Sequence, residues 1–178
     1  MHVHGPRLGF SVTIIPEVTI DEGDVNSTRI RGLVAEARVE DATAMLGRPY
    51  AVRGKVVEGD RRGRILGFPT ANLGSENEIL PGSGVYAGTL RFLDDGEPPQ
   101  STELPAVVNV GTRPTFEGSE SVLAEAHLID FEGDVYGRRV ELSFRHRLRS
   151  ERRFPDVEAL KRQIGADVVE GRRRLEAS

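Results

Sequence analysis

The sequence predicts a mainly β protein, an antiparallel barrel of five or six short strands followed by one C-terminal helix that packs on it. Five segments rich in β-branched and apolar residues are separated by glycine and proline turns, at 51–58, 84–93, 104–110, 121–131 and 138–147. Closing such strands into a barrel leaves no strand edge exposed. From residue 155 onwards the apolar residues recur at the spacing of one helix face.

Before the barrel, the pattern predicts one strand and two short helices. Residues 9–15 form an apolar, β-branched run that Pro16 ends. A helix with a serine or threonine N-cap then starts at Ser27. A second helix covers residues 39–46, and Gly47 stops it.

These N-terminal elements are too few to fold alone. We therefore divide the chain into a remnant, residues 1–48, and a barrel domain, residues 49–178. The last element of the barrel domain is a helix opened by Pro155 and Asp156. Its apolar stripe consists of Val157, Leu160, Ile164, Val168 and Leu175.

Composition excludes several functional classes. The 178 residues carry a net charge of −4 with a pI near 5.7, which argues against a nucleic-acid binder that relies on a basic face. No apolar run approaches the about 20 residues of a membrane span, and the N-terminal residues lack the charged-then-apolar layout of a signal peptide. The absence of cysteine excludes thiolate metal sites. We expect a cytoplasmic protein with neither nucleic acid nor membrane as a partner.

The segment 67–73, Gly-Phe-Pro-Thr-Ala-Asn-Leu, suits a cation and phosphate site. Pro69 favours an extended backbone around it, which directs the side chains of Thr70 and Asn72 to one face. A hydroxyl and an amide oxygen suit Mg²⁺, which shares nucleotide phosphates as ligands, and residues 61–64 add arginine and glycine beside them. An ordinary turn or strand entry explains the same residues. Neither of the common phosphate-loop signatures occurs in the sequence.

A candidate general base lies on the fourth predicted strand. Period-two alternation places Glu125 and His127 on the same face as Leu123 and Ile129. A partly buried glutamate can accept a proton from a hydroxyl, although a solvent-facing strand glutamate fits the pattern as well. We interpret His127 as a packing or hydrogen-bonding residue rather than a metal ligand. Signatures of serine, cysteine and zinc hydrolases are absent, so phosphoryl transfer fits these residues better.

Several segments together resemble one family, the riboflavin kinase module that occurs alone in eukaryotes and as the C-terminal half of bacterial bifunctional FAD synthetases. The resemblance covers residues 47–175 and implies a six-stranded antiparallel (Greek-key) barrel with a C-terminal helix. Its motifs occur in order as Gly47-Arg48-Pro49-Tyr50, Gly54-Lys55-Val56-Val57, Gly63-Arg64, Gly67-Phe68-Pro69-Thr70-Ala71-Asn72, Gly84-Val85-Tyr86-Ala87-Gly88, Asn109-Val110-Gly111-Thr112-Arg113-Pro114-Thr115-Phe116, Glu125-Ala126-His127-Leu128 and Leu148-Arg149-Ser150-Glu151-Arg152-Arg153-Phe154.

The resemblance also implies substrates and residue roles on the nucleotide side. It makes riboflavin and ATP the substrates, FMN the product and Mg²⁺ the metal. Thr70 and Asn72 would hold Mg²⁺. The residues that would contact ATP are Gly59, Gly63, Arg64, Thr70, Asn72 and Tyr136.

On the flavin side, the resemblance makes Glu125 the general base that acts on the primary hydroxyl of the ribityl chain. Arg149, Arg152 and Phe154 fall where the family closes a loop over the flavin. Ser150 departs from the family pattern, because proline is usual at that position. We expect this change to loosen the flavin loop.

Residues 26–31 resemble a second motif, the Ser-Ser-Thr-Arg-Ile-Arg segment of the FMN adenylyltransferase domain, with Asn26 in place of the first serine. The His-x-Gly-His signature of adenylyl transfer is absent from the 178 residues. We therefore expect no FAD synthesis by this chain. A plain capped helix explains residues 27–31 better.

Two other functions remain open from the sequence. A flavin-binding or regulatory module could keep the barrel and lose turnover, but the intact set of Thr70, Asn72 and Glu125 favours an enzyme. A barrel of the oligonucleotide-binding kind is disfavoured, because the chain has no tryptophan and is acidic.

Overall fold

The computed structural model describes residues 8–9, 11–13, 16, 18–20, 23–59, 67–76, 79–95, 102–114 and 120–177. Its strands are β1 (Thr19–Ile20), β2 (Gly23–Asp24), β3 (Tyr50–Val57), β4 (Ala71–Ser75), β5 (Gly84–Phe92), β6 (Glu103–Pro114), β7 (Glu120–Leu128) and β8 (Arg139–Arg149). Its helices are α1 (Ser27–Ala35), α2 (Val39–Leu46) and α3 (Val157–Glu176).

Six antiparallel strands close the predicted barrel in the order β3-β4-β7-β6-β5-β8, and β8 pairs back to β3. The predicted mainly β class and the six-stranded barrel are confirmed. β4 is the strand that the five apolar segments did not include. Its sequence, Ala-Asn-Leu-Gly-Ser, has little β propensity, and its conformation is fixed by pairing with β3 and β7 on its two sides.

Strand alternation decides which side chains line the barrel and which lie outside. On β7, Ala124, Ala126 and Leu128 belong to the barrel core, together with the edge-to-face pair of Tyr86 and Phe144. The residues between them on β7 therefore point to the outer face.

The N-terminal segment differs in part from the prediction. Residues 11–13 form no strand, and the rest of the predicted strand 9–15 lies outside the described residues except for a turn at Gly9. α1 and α2 form where they were predicted. The N-cap of α1 is Asn26 rather than a serine or threonine, because its side chain accepts a hydrogen bond from the backbone N–H of Arg29 at 2.9 Å. Gly47 ends α2 in the left-handed conformation, with φ of 67°, as predicted.

The second N-terminal helix, α2, packs against the barrel, and α1 packs on α2. Ala37 and Val39 share the core cluster of the barrel. A carboxylate oxygen of Glu40 accepts a hydrogen bond from the backbone N–H of Arg147 at 2.9 Å, which fixes α2 on β8. The division of the chain at residues 48 and 49 stays a prediction.

The turn between β4 and β5 is fixed by two tyrosines. The hydroxyl of Tyr50 donates to the carbonyl of Ile79 at 2.7 Å, and that of Tyr86 donates to the carbonyl of Gly82. Burial raises the pKa of Tyr86 to about 12, so this hydroxyl keeps its proton at neutral pH. The turn joins the barrel to α1, because the backbone N–H of Gly82 donates to the carbonyl of Val34 at 3.0 Å.

α3 lies across the outer face of the barrel, where β5, β6 and β8 contact it. Asp156 caps it by accepting from the backbone N–H of Ala159 at 2.7 Å, which confirms the predicted start. Gly171 allows a close approach, since a Cβ there would lie 3.0 Å from a methyl group of Val107. Within the described part of the chain, no helix is long and apolar enough to cross a membrane.

Candidate active site

A row of five residues crosses the outer face of the barrel, from β4 to β8. The strand register pairs Asn72 with Glu125, Glu125 with Asn109, Asn109 with Val85, and Val85 with Arg149. Directly paired residues of antiparallel strands point to the same face of a sheet. This cross-strand row places the carboxylate of Glu125 between two asparagine amides and leads from Asn72 at one end to Arg149 at the other.

Asn72 lies at one end of the cross-strand row in an unusual environment. The residue is 4% exposed, and its Oδ1 has no hydrogen-bond partner among the described residues. Gly59 lies directly against it, and a Cβ at position 59 would overlap the side-chain amide. Buried acceptors are nearly always satisfied, and an amide oxygen is a suitable ligand for a hard divalent cation. The residues present therefore fit a Mg²⁺ site.

Thr70 lies between two cavities on either side of the segment 67–73. The Tyr136 cavity has a volume of about 580 Å³, and its lining includes Thr70, Phe131, Tyr136 and the carboxylates of Glu58, Glu132 and Asp134. The second cavity, lined by Phe154, is described below. Among the residues that the structure describes, Thr70 alone lines both cavities. The predicted ATP contacts Gly63 and Arg64 fall within residues 60–66, outside the described residues.

The Phe154 cavity has a volume of about 430 Å³ and lies between the barrel and α3. The aromatic rings of Phe68 and Phe154 and the aliphatic side chains of Val85 and Val107 supply its apolar surface. Its polar lining residues are Thr70, Asn109, Glu125, His127, Arg149, Glu151, Arg152 and Asp167. A cleft of this size that combines aromatic and aliphatic surface with polar groups suits a planar organic ligand with polar substituents. The structure thus places Glu125, Arg149, Arg152 and Phe154 around one cavity.

His127 supports the segment that carries Thr70. Its Nδ1 lies 2.9 Å from the carbonyl oxygen of Pro69, so Nδ1 carries the proton and donates it. The ring of Phe68 packs against the imidazole edge-to-face at 5.4 Å between centroids. The interpretation of His127 as a hydrogen-bonding residue is confirmed. The described residues contain no cluster of three or more histidine, cysteine, aspartate or glutamate side chains arranged for a metal.

The loop 149–154 is fixed by charged and aromatic contacts. Arg149 forms an ion pair with Asp167 of α3, at 2.7 Å between Nη2 and Oδ2. The guanidinium groups of Arg149 and Arg152 lie 5.8 and 4.9 Å from the centre of the Phe154 ring. Ser150, which departs from the family pattern, accepts a hydrogen bond on Oγ from Arg147 at 2.9 Å.

Sequence reasoning missed some residues of the site. Asn109 donates to Oε1 of Glu151 at 3.4 Å, which connects the cross-strand row to the loop 149–154. Asn109 and Glu151 both occur in motifs that carry the family resemblance, and this position in the motifs could have marked them as site residues. Asp167 and Gln163 gave no local signal, because polar residues are common in a surface helix.

A protein-family profile described as riboflavin kinase (flavokinase) matches residues 46–175. The bifunctional riboflavin kinase/FMN adenylyltransferase of Escherichia coli (strain K12) is 41% identical over 170 residues, covering 94% of this chain and 51% of the relative. The chain spans about half the length of the curated relatives that it matches.

Solved structures give the same picture of the fold. A Streptococcus pneumoniae chain described as a macrolide-efflux protein matches with a TM-score of 0.80 and 35% identity, over 92% of this chain and 51% of that chain. Riboflavin kinase from Trypanosoma brucei matches with a TM-score of 0.50 and 26% identity, over 72% of this chain and 80% of that chain. The efflux description belongs to the Streptococcus protein alone.

Proposed function

Because the chain belongs to the riboflavin kinase family, we propose that it transfers the γ-phosphoryl group of ATP to the 5′-hydroxyl of riboflavin and so forms FMN. The observation that carries this proposal is the cross-strand row. Glu125 lies in it between Asn72, a candidate metal ligand, and Arg149, which lines the Phe154 cavity. A base between a cation site and an acceptor cleft is the arrangement that phosphoryl transfer needs.

Flavin binding is assigned to the Phe154 cavity. The rings of Phe68 and Phe154 suit an aromatic ring system, and the polar side chains of Asn109 and Glu125 suit a ribityl chain. The guanidinium groups of Arg149 and Arg152 supply hydrogen-bond donors to the flavin. The ribityl chain would then lead towards Glu125 and Thr70.

Nucleotide binding is assigned to the Tyr136 cavity, with the phosphates at its Thr70 end. Carboxylates of Glu58, Glu132 and Asp134 line this cavity and would repel phosphate groups. The part of ATP that suits the surface near these carboxylates is therefore the uncharged nucleoside. Tyr136 is exposed over 40% of its surface as a residue, and its ring could stack with the base.

Thr70 and Asn72 would hold the divalent metal, which we propose to be Mg²⁺. The hydroxyl of Thr70 and the unpaired Oδ1 of Asn72 are oxygen ligands of the kind that this ion takes. When bound, Mg²⁺ neutralises charge on the phosphate oxygens. Gly59, which leaves space for the Asn72 side chain, keeps the backbone close to this point.

Glu125 acts as the general base. Its carboxylate accepts the proton of the 5′-hydroxyl while the hydroxyl oxygen forms a bond to the γ-phosphorus. The bond between the γ-phosphorus and the bridging oxygen breaks, and ADP leaves with that oxygen. The transferred proton remains on Glu125 until solvent removes it.

A direct assay tests the proposed function. We expect purified protein incubated with riboflavin, ATP and Mg²⁺ to yield FMN, separated from riboflavin by chromatography, and to yield no FAD. Chelation of the metal should stop the reaction. A folded protein that binds riboflavin without forming FMN would instead be a catalytically silent flavin-binding module.

Replacement of His127 tests whether its hydrogen bond to the carbonyl of Pro69 positions the neighbouring Thr70. His127→Leu removes the hydrogen bond to Pro69, and we expect the KM for ATP to rise by about 3- to 10-fold, as for the loss of one hydrogen bond. His127→Asn is the matched variant, because its side-chain N–H₂ group occupies the position of Nδ1 and should restore most of the affinity. Equal KM values in both variants would contradict the role of the hydrogen bond.

A further inference from the structure

Asp167 is a buried acidic residue in the middle of α3, for which the proposed reaction has no use. Its relative exposure is 5%, and only it and Asn72 are buried polar residues within the described part of the chain. An ionised carboxylate in such a place costs free energy unless it is paired and hydrogen-bonded. An aliphatic residue could pack there without that cost. A function of Asp167 should therefore be sought in the groups that it contacts.

The carboxylate of Asp167 holds one edge of the Arg149 guanidinium. Nε of Arg149 donates to Oδ1 at 3.0 Å, and Nη2 donates to Oδ2 at 2.7 Å. The pair is shielded from water, with side-chain exposures of 20% for Arg149 and 6% for Asp167. Two parallel charge-assisted hydrogen bonds fix the plane of the guanidinium as well as its position.

The remaining donors of Arg149 can be counted. A guanidinium has five N–H groups. Asp167 takes that on Nε and one on Nη2, and the carbonyl of Ser150 takes one on Nη1 at 3.0 Å. One N–H on each terminal nitrogen has no protein partner among the described residues, and Arg149 lines the Phe154 cavity. Two donors of fixed direction are thus available for a ligand with two acceptors.

A second connection runs from α3 to the same loop. Gln163 lies one turn before Asp167, and its Nε2 donates to Oδ1 of Asp167 at 2.7 Å. Its Oε1 accepts from Nη2 of Arg152. The ring of Phe154 contacts the guanidinium groups of both loop arginines. Side chains of α3 therefore hold the loop 149–154 through Arg149 and Arg152, and Asp167 also lines the Phe154 cavity.

We propose that Asp167 is a positioning residue for flavin binding, which holds Arg149 with its two free N–H groups ready for acceptor atoms of the isoalloxazine ring. This inference rests on the proposed function. Ordering of these donors before the flavin arrives lowers the entropic cost of binding. Without the charge of Asp167, Arg149 would keep its own charge and its N–H donors, but its guanidinium would no longer be held in one orientation.

The test is a double-mutant cycle in the FMN assay with Asp167→Asn, Arg149→Lys and the double variant. We expect Asp167→Asn to raise the KM for riboflavin about tenfold, as for one lost charge-assisted hydrogen bond, and to leave the KM for ATP unchanged. Arg149→Lys should act similarly, because lysine lacks the fork geometry. The KM of the double variant for riboflavin should not exceed that of the more strongly affected single variant, since both changes remove the same interaction.

Glu170→Gln is the matched control, a loss of one carboxylate on the same helix, where Glu170 pairs with Arg173 and Arg174 instead. Its KM for riboflavin should equal that of the wild type. Additive effects of Asp167→Asn and Arg149→Lys, or an unchanged riboflavin KM in folded Asp167→Asn, would overturn the inference.

Two further experiments cover the cases in which Asp167→Asn does not fold or the wild type forms no FMN. If Asp167→Asn does not fold, Gln163→Leu replaces it in the cycle, where the same non-additivity with Arg149→Lys is required. If the wild type forms no FMN, the proposed function fails, and the cycle is repeated on the Kd for riboflavin from flavin fluorescence. An effect of Asp167→Asn on that Kd through Arg149 would still support the inference, and its absence would overturn it.

Discussion

Replacing Glu125 with glutamine is expected to lower kcat for FMN formation by about 10²- to 10⁴-fold, the usual contribution of a general base. The change removes the proton acceptor and hardly alters the volume of the side chain. The KM values for ATP and riboflavin should therefore stay close to those of the wild type. The measurement is steady-state kinetics with both substrates varied.

Glu103→Gln provides the control for this result. Glu103 is an exposed glutamate on the neighbouring strand β6, paired with Arg145 at 3.4 Å, and lines neither cavity. Its replacement should leave kcat unchanged. A Glu125→Gln protein with a near-normal kcat would show that the proton of the ribityl hydroxyl leaves by another route.

Replacing Asn72 with alanine is expected to raise the Mg²⁺ concentration for half-maximal activity by about tenfold or more. The estimate corresponds to the loss of one contact to a charged group, about 1.5–3 kcal/mol. The reason is the buried Oδ1 of Asn72, which has no protein partner among the described residues and is the proposed ligand of the cation. The measurement is a Mg²⁺ titration of FMN formation, together with nucleotide binding at several Mg²⁺ concentrations.

Asn109→Ala is the matched control, because Asn109 lies in the same cross-strand row on the other side of Glu125. It lines the Phe154 cavity, so its replacement should affect the KM for riboflavin and leave the Mg²⁺ titration unchanged. Urea unfolding of both variants shows whether the barrel is intact. An unchanged Mg²⁺ dependence in folded Asn72→Ala would contradict metal coordination by this residue.

Local patterns predicted the barrel strands and the final helix because both depend on near neighbours in sequence. Alternation identified β7 and its outward residue Glu125, and the Asp156 cap identified the start of α3. β4 was not among the predicted strands, because Asn72 and Gly74 disfavour strands and its conformation depends on partners elsewhere in the chain. The cap of α1 was placed one residue late, since Asn26, Ser27 and Thr28 are all suitable caps.

The sequence by itself determined the three helices, five of the six barrel strands, the face on which Glu125 lies and, through the family resemblance, the candidate residues Thr70, Asn72 and Arg149. Only the tertiary structure decided their register, which aligns Asn72, Glu125 and Arg149 in one row although residues 72 and 149 are far apart in sequence. It also brought Asp167 to Arg149. Strand register and helix docking are set by closure of the barrel and by the packing of its core, and no local pattern carries that information.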